Sequence, residues 1–186
     1  MNMNTESKAS GLRAGRWLTA LALAATANLA NAGELVAPAV LVVDHSLPKA
    51  QLEQQILAAR RYDTFWNTGD EALARAALAV DFRDNTLPAG RPQGVEGPLK
   101  ASKSFRGAVP DLRCEVLQMI VAGDRVTAAL RFTGHFTGKL GERQGQGEAI
   151  DFIAMDIYRI ADGRIAEDWH LEDNLTFLQQ AGLAAH

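Results

Sequence analysis

Three aspartates lie in segments where apolar residues recur at every second position, and an acid so placed can act as a general acid or base. Period-two counting places Asp84 on the side of Phe82, and Asp173 on the side of Trp169. Asp156 lies within a third, largely apolar segment. Apolar neighbours remove hydration from a carboxylate and raise its pKa toward neutrality, where it can take a proton from carbon beside a carbonyl group. Asp173 and Asp84 are therefore the candidate catalytic residues, and Asp156 is a candidate substrate contact.

Each of these acids also has a structural interpretation that the sequence leaves open. Asp173 directly precedes a helix that begins near Asn174, and aspartate is a favoured N-cap residue. Asp84 precedes a loop rich in proline and glycine, where aspartate commonly forms a turn. Asp156 could be a buried, partnered acid that holds the sheet together.

The remaining candidate substrate contacts are aromatic or amide side chains near these acids. Tyr62 and Trp66 are four residues apart and share one helical face, so they either line a pocket or pack in the core. Tyr62 could donate a hydrogen bond to a substrate oxygen. Asn85 follows Asp84, and Trp169 is expected to point inward with Asp173.

Composition and spacing exclude several other classes of function. The chain has 186 residues, a net charge of -3 and no basic run, so we expect no nucleic-acid partner. The four histidines (His45, His135, His170 and His186) lack metal-ligand spacing, and His170 alternates to the face opposite Asp173. Cys114 is the only cysteine and lies in an apolar alternating stretch, which predicts a buried bystander. We expect neither a metal nor a cofactor.

The first 32 residues have the pattern of a secretory signal peptide. Basic residues, among them Lys8 and Arg13, precede an apolar stretch from Trp17 to about Leu29, which is too short for a stable membrane anchor. Ala30-Asn31-Ala32 fits the small-x-small cleavage pattern. We expect cleavage after Ala32, a periplasmic or secreted product, and no membrane association after cleavage.

The rest of the chain predicts an N-terminal arm at 33–47 and one α+β domain at 48–186. The arm is apolar and punctuated by proline, so it is either a free segment or a loosely paired strand. Apolar residues at helical spacing, from Leu52 to Trp66, predict a first helix that ends at Gly69. The other predicted elements are helices at 70–78, 95–108 and 174–180, a short strand at 80–85, and strands near 112–122, 125–137, 148–160 and 164–171. Three helices before an antiparallel meander predict a curved sheet with an enclosed pocket.

Several motifs in this domain, in order and spacing, resemble the SnoaL-like polyketide cyclase (ester cyclase) family. The motifs are Arg61-Tyr62-Asp63-Thr64-Phe65-Trp66-Asn67-Thr68-Gly69-Asp70, Asp81-Phe82-Arg83-Asp84-Asn85, Pro110-Asp111-Leu112, Gly123-Asp124-Arg125-Val126, Phe136-Thr137-Gly138, Asp156-Ile157-Tyr158-Arg159-Ile160-Ala161-Asp162-Gly163-Arg164-Ile165, Glu167-Asp168-Trp169, and Leu178-Gln179-Gln180-Ala181-Gly182. Together they span roughly residues 60–182.

The resemblance implies a nuclear transport factor 2-like fold: a cone-shaped α+β barrel in which an antiparallel sheet and three N-terminal helices enclose a pocket. It also implies a homodimer and a cofactor-free aldol-type ring closure of a polyketide-like ester. The acid/base residue by position in the family's C-terminal motif is Asp173. Asn85 departs from relatives that carry histidine there, which affects the choice of substrate.

Two functions follow as alternatives. The first is an enzyme that acts on a small hydrophobic carbonyl compound. The second is a non-catalytic small-molecule-binding or dimeric accessory module of the same fold, because one fold hosts both kinds of function.

Overall fold

The structure, a computed structural model, describes residues 34–185 of the chain. The predicted signal peptide at 1–32 lies outside the described residues. Among the helices of the described part, none is long and apolar enough to cross a membrane.

Four helices occupy the positions that the apolar spacing predicts, within one or two residues. They are α1 (Lys49–Thr68), α2 (Glu71–Ala77), α3 (Glu96–Ala108) and α4 (Asn174–Gln180). Ala59 and Tyr62 of α1 are buried in the core, as the predicted apolar stripe requires. Helix α1 ends at Gly69, whose left-handed φ of 78° few other residues adopt without strain.

Six strands form the main sheet, and a separate short hairpin lies beside it. The strands are β1 (Val40–Val43), β2 (Leu78–Asp84), β3 (Arg113–Ala122), β4 (Arg125–Phe136), β7 (Glu148–Ala161) and β8 (Arg164–Glu172), and the hairpin is β5 (Lys139–Leu140) with β6 (Arg143–Gln144). The main sheet has the order β1-β3-β4-β7-β8-β2. Its four central strands are antiparallel as predicted, but both edge strands pair parallel to their neighbours, so the sheet is mixed.

The N-terminal arm is attached to the domain along α1. The guanidinium of Arg60 donates to the carbonyl oxygens of Leu35 and Val36, and the backbone N–H of Val36 donates to Thr64 Oγ1. Further along the arm, β1 extends the sheet by pairing with β3. The arm is therefore a docked edge strand, and the alternative of a free segment is wrong for its described residues.

The two faces of the sheet differ in what covers them. The inner face carries buried apolar side chains, among them Leu130 and Tyr158, which pack in one core with α1. The outer face leaves aliphatic side chains exposed to solvent on adjacent strands, as at Ile153, Met155 and Leu171.

Two register shifts at one edge of the sheet decide which side chains reach the interior. On β8, Ile165 is opposite Ile160 but Glu167 is opposite Arg159, so Ala166 is an extra residue. A bulge of this kind reverses the alternation beyond it. On β2, the pairing is interrupted between Leu78 and Arg83.

Candidate active site

An aromatic cavity, the outer chamber, opens between the inner face of the sheet and helices α1, α3 and α4. Its volume is about 260 Å³. The aromatic residues that line it are Trp66, Phe105, Phe132, Phe152 and Phe177. Their rings pack against one another, with centroids 5.3 Å apart for Phe132 and Phe152. The outer chamber suits the apolar body of a small molecule.

A second, much smaller cavity continues from the outer chamber toward β2 and β8. This inner chamber has a volume of about 20 Å³, roughly the space that one water or one small polar group needs. Its polar lining consists of Tyr62, Asp84, Arg91, Asp156, Asp168, His170 and Glu172. Four residues line both chambers, namely Trp66, Arg91, Asp156 and Glu172. The two chambers therefore form one pocket with an aromatic mouth and an acidic floor.

Asp156 lies on β7 where the aromatic mouth meets the acidic floor. Its side chain is buried, and Oδ2 accepts a hydrogen bond of 2.8 Å from the hydroxyl of Tyr158. Burial raises the pKa of Asp156 to about 7, while the Tyr158 hydrogen bond and the charge of His170 act in the opposite direction. Near neutral pH, Asp156 is therefore able both to take and to return a proton.

His170 is held between two carboxylates of the floor. Its Nε2 lies 3.0 Å from Asp84 Oδ2, and its Nδ1 lies 2.8 Å from Glu172 Oε1. Burial alone would lower the pKa of His170, but the hydrogen bonds to Glu172 and Asp84, together with the charges of Glu172 and Asp168, outweigh it and raise the pKa to about 10. The pKa of Glu172 is lowered despite burial, because the His170 cation stabilises its charged form. His170 is the fixed positive charge of the floor.

Burial raises the pKa values of three further groups of the interior. Burial raises the pKa of Asp168 and of Asp63 well above the ordinary value. Within residues 34–185, Asp168 Oδ1 is buried and has no hydrogen-bond partner. Burial, and the charges of Asp168 and Asp156, also raise the pKa of Tyr62, so its hydroxyl remains a hydrogen-bond donor.

The fold has clear relatives among known proteins. The model of the SnoaL-like polyketide cyclase family matches residues 56–181 of the chain. This chain belongs to that family. Membership supports a cyclase- or isomerase-type function, and it establishes the nuclear transport factor 2-like α+β fold that the motifs imply. A search of curated proteins gives no significant match.

Solved structures of other SnoaL-like proteins are similar over nearly their whole length. A provisionally assigned polyketide cyclase from Bacillus cereus ATCC 10987 is 44% identical with a TM-score of 0.76, and the match covers 82% of this chain and 96% of that one. TsrD from Streptomyces laurentii is 25% identical with a TM-score of 0.64, covering 74% and 99%. IdmH from Streptomyces antibioticus, also a provisionally assigned polyketide cyclase, is 25% identical with a TM-score of 0.61, covering 67% and 96%.

The SnoaL-like domain brings four of the site residues predicted from the sequence into the pocket. Tyr62, Asp84 and Asp156 are buried and line the inner chamber, and Trp66 lines both chambers. The structural interpretation of Asp156 as a buried, partnered acid also holds, because Tyr158 donates a hydrogen bond to it. Asp84 also forms the expected turn, since its Oδ1 accepts the backbone N–H of Thr86.

Three predicted site residues lie outside the pocket. Asp173 is exposed and caps α4: its Oδ1 accepts the backbone N–H of Thr176 at 3.0 Å, which lowers the pKa of Asp173. Trp169 is on the outer face, where the Arg125 guanidinium lies 5.7 Å from its ring centroid. Asn85 donates to Glu167 Oε2 at 2.9 Å and does not line either chamber.

The extra residue Ala166 is the physical reason for the wrong orientation of Asp173 and Trp169. Counting from buried Ile165 without the bulge places the odd-numbered residues inside, whereas beyond Ala166 the even-numbered residues point inward. His170 and Asp173 do point to opposite sides, as predicted, but it is His170, and not Asp173, that points into the pocket.

The sequence-based analysis missed five polar residues of the interior: Asp63, Arg91, Asp168, His170 and Glu172. A signal was present on β8, because Asp168, His170 and Glu172 alternate and all can ionise. Asp63 was hidden by its position between aromatic residues of α1, and Arg91 by its position in a loop.

Neither a second groove nor a metal-binding group offers a competing site in the described part of the chain. A larger groove of about 630 Å³ lies beside the interrupted strand β2. Its arginines already have partners: Arg159 pairs with Glu167, and Arg164 donates to the carbonyl oxygen of Leu78. In the described part of the chain, no group of three His, Cys, Asp or Glu residues is arranged to hold a metal ion.

Proposed function

We propose that the protein is a cofactor-free cyclase or isomerase that uses Asp156 as its acid/base on a small hydrophobic carbonyl compound. The observation that carries this proposal is the position of Asp156, buried where the aromatic mouth meets the acidic floor. Because its pKa is about 7, both the ionised and the protonated forms of Asp156 are present near neutral pH. Asp173, the candidate from sequence, is exposed and bound to Thr176, so the role passes to Asp156.

The pocket supports an aldol-type closure with a balanced transfer of one proton. The apolar body of the substrate packs on the rings of the outer chamber, which leaves an acidic C–H near Asp156. The carboxylate takes that proton, and the carbon becomes an enolate whose oxygen accepts a hydrogen bond from Tyr62. The enolate carbon then forms a bond to a second carbonyl carbon of the same molecule. Asp156 returns its proton to the resulting alkoxide.

Asp84 and His170 support this chemistry through charge rather than through contact with the substrate. Both ring nitrogens of His170 are bonded to carboxylates, so neither N–H is free to donate to a ligand. The His170 charge lowers the pKa of Asp156 against the effect of burial. Without this cation the pKa of Asp156 would be higher, and a smaller fraction of Asp156 would be ionised at neutral pH to act as a base.

Proton abstraction is tested without knowledge of the natural substrate. The probe is a hydrophobic β-keto ester in D₂O, and the readout is enzyme-dependent exchange of its α-proton, followed by proton NMR. We expect exchange with the wild type, loss of at least two orders of magnitude in Asp156→Asn, and nearly full exchange in the matched control Asp173→Asn. Exchange that survives in Asp156→Asn refutes the role of Asp156. Saturable binding without any exchange favours the non-catalytic module.

We also propose that two copies associate through the outer face of the sheet. The exposed aliphatic side chains of β7 and β8, such as Ile157 and Leu171, form a continuous apolar surface. The neighbouring charges Arg131 and Asp151 already form a bidentate ion pair within the same face. Burial against a second copy would therefore remove apolar area from water without leaving these charges unpaired.

Export by the signal at 1–32 is likewise a proposal. The hydrogen bonds that attach the arm to α1 involve Leu35 and Val36, so cleavage after Ala32 would remove none of them. Expression of the full chain followed by N-terminal sequencing of the exported product tests this. A mature chain that begins at Gly33 supports it, and an uncleaved cytosolic product refutes it.

A further inference from the structure

The hydroxyl of Tyr158 lies between two buried carboxyl groups. Its oxygen is 2.8 Å from Asp156 Oδ2 and 2.9 Å from Asp63 Oδ1. Tyr158 and Asp63 are both 0% exposed. Asp63 belongs to α1 and Asp156 to β7, so the three side chains connect the first helix to the acidic floor of the pocket.

The number of protons restricts how these three groups can be bonded. A phenol has one proton and can donate it to one carboxyl group only. The second contact must then be a carboxylic acid that donates its own O–H to the phenol oxygen. One of the two aspartates is therefore protonated, and the chain of hydrogen bonds has a direction.

The surroundings of the two carboxyl groups decide this direction. Among the described residues, nothing donates to the buried Oδ2 of Asp63, so an ionised Asp63 would keep one oxygen without compensation. Asp156 instead lines both chambers, and the His170 cation favours its charged form. The negative charge therefore belongs on Asp156, and the proton belongs on Asp63.

We propose that Tyr158 is a positioning residue for Asp156 and that Asp63 sets the direction in which the Tyr158 hydroxyl donates. The Asp63 carboxylic acid donates to the Tyr158 oxygen, and Tyr158 donates to Asp156 Oδ2. This inference rests on the proposed role of Asp156 as the acid/base. It assigns a function to two buried polar groups that do not line the pocket.

The consequence concerns where a proton taken from substrate is held. Asp156 Oδ2 already accepts the Tyr158 proton, so the abstracted proton goes to the other oxygen, Oδ1. Asp63 cannot accept a proton through Tyr158 because it already carries one. The abstracted proton therefore stays on Asp156, available for return to the same molecule.

Other ionisable groups also act on Asp156, and the test must separate them from Tyr158. They are Tyr62 and Asp63 on α1, Asp84 on β2, Arg91 in the loop before α3, and Asp168, His170 and Glu172 on β8. The substitutions below leave all of them except Asp63 unchanged.

The experiment measures the ionisation of Asp156 in the protein without substrate. Aspartate is labelled with ¹³C at the side-chain carboxyl, and the signals are assigned with Asp156→Asn and Asp63→Asn. In the wild type we expect Asp156 to titrate with a midpoint near 7. We expect the Asp63 signal to lie at its protonated position at pH 7. An Asp63 signal that is ionised at pH 7 overturns the proposal.

Tyr158→Phe removes the donor while keeping the ring. We expect the Asp156 midpoint to rise by roughly one to two pH units, because a hydrogen bond to a charged group is lost. The acidic limb of the exchange rate should move by the same amount in the same direction. An unchanged midpoint overturns the proposal.

Two further variants separate this effect from damage to the fold. Asp63→Leu removes a neutral group, so the Asp156 midpoint should not fall; a fall would mean that Asp63 was an anion and would overturn the assignment. In the double variant Asp63→Leu/Tyr158→Phe, Asp63 is no longer present as a buried acid that has lost its Tyr158 partner. The thermal midpoint of the double variant should exceed that of Tyr158→Phe, while the raised Asp156 midpoint persists. If the double variant regains both the thermal midpoint and the Asp156 midpoint of the wild type, Tyr158 has only a structural role and the proposal is overturned.

The outcomes distinguish this inference from the proposed function. If Asp156→Asn retains exchange activity, the proposed function fails whatever the NMR titration shows. If Asp156→Asn is inactive but Tyr158→Phe leaves the Asp156 midpoint unchanged, only the positioning role fails.

Discussion

Replacement of Asp156 by asparagine should make the protein more stable above neutral pH while abolishing its proposed activity. The reason is the raised pKa of Asp156 in the fold, from 3.8 to about 7. Between these two values the folded state binds more protons than the unfolded state, so the stability of the wild type falls as pH rises. Asparagine does not ionise, so the stability of the variant does not fall in this way as pH rises.

The size of the effect follows from the shift. A displacement from 3.8 to about 7 corresponds to about 4 kcal/mol over the full pH range. Between pH 5 and pH 8, the part of it that is lost is roughly 2–3 kcal/mol. For a domain of this size, that difference corresponds to roughly 5–10 °C in the thermal midpoint.

The assay is thermal and urea unfolding of wild type and Asp156→Asn at pH 5 and pH 8. The free energy of unfolding of Asp156→Asn, relative to that of the wild type, should increase by roughly 2–3 kcal/mol from pH 5 to pH 8. Asp151→Asn is the matched control on the same strand, since the pKa of Asp151 is lowered by Arg131 and its effect has the opposite sign. If the two proteins differ by the same amount at both pH values, Asp156 has an ordinary pKa and the reasoning about the floor is wrong.

Three further outcomes follow from the structure. Asp173→Ala removes the cap of α4 and should cost about 1 kcal/mol in urea unfolding, with proton exchange unchanged; a selective loss of exchange would return Asp173 to the site. Leu171→Glu places a charge at a side chain that is 75% exposed on the outer face, and light scattering should show a dimer for the wild type and a monomer for the variant. Arg60→Ala removes the hydrogen bonds to Leu35 and Val36, so limited proteolysis should cut the arm faster without a change in exchange activity.

The fold could be predicted from the sequence because most of its signals are local. Apolar spacing determines α1, and Gly69 ends it. The turn at Asp162 and Gly163, both with positive φ, separates β7 from β8 as expected. The parallel pairing of β1 and β2 was not predictable in the same way, since nothing within either strand specifies a partner far away in the chain.

The candidate site could be predicted only in part, and one extra residue on β8 accounts for the wrong orientation of Asp173. Asp84 and Asp156 point inward as their alternation predicts. Asp173 does not, because the bulge at Ala166 depends on the pairing of β8 with β7 and has no signature in its own residues. The partners of His170 lie on β2 and β8, so its charged state also depends on the assembled sheet.

The pairing of the edge strands has a consequence for the order in which the chain can fold during synthesis. Strand β2, near the middle of the chain, pairs with β8, which ends at Glu172. Asp84 therefore meets His170 only after almost the whole polypeptide has left the ribosome. The native edge of the sheet therefore closes late in synthesis, and until then Asp84 lacks the histidine that holds it in the floor of the pocket.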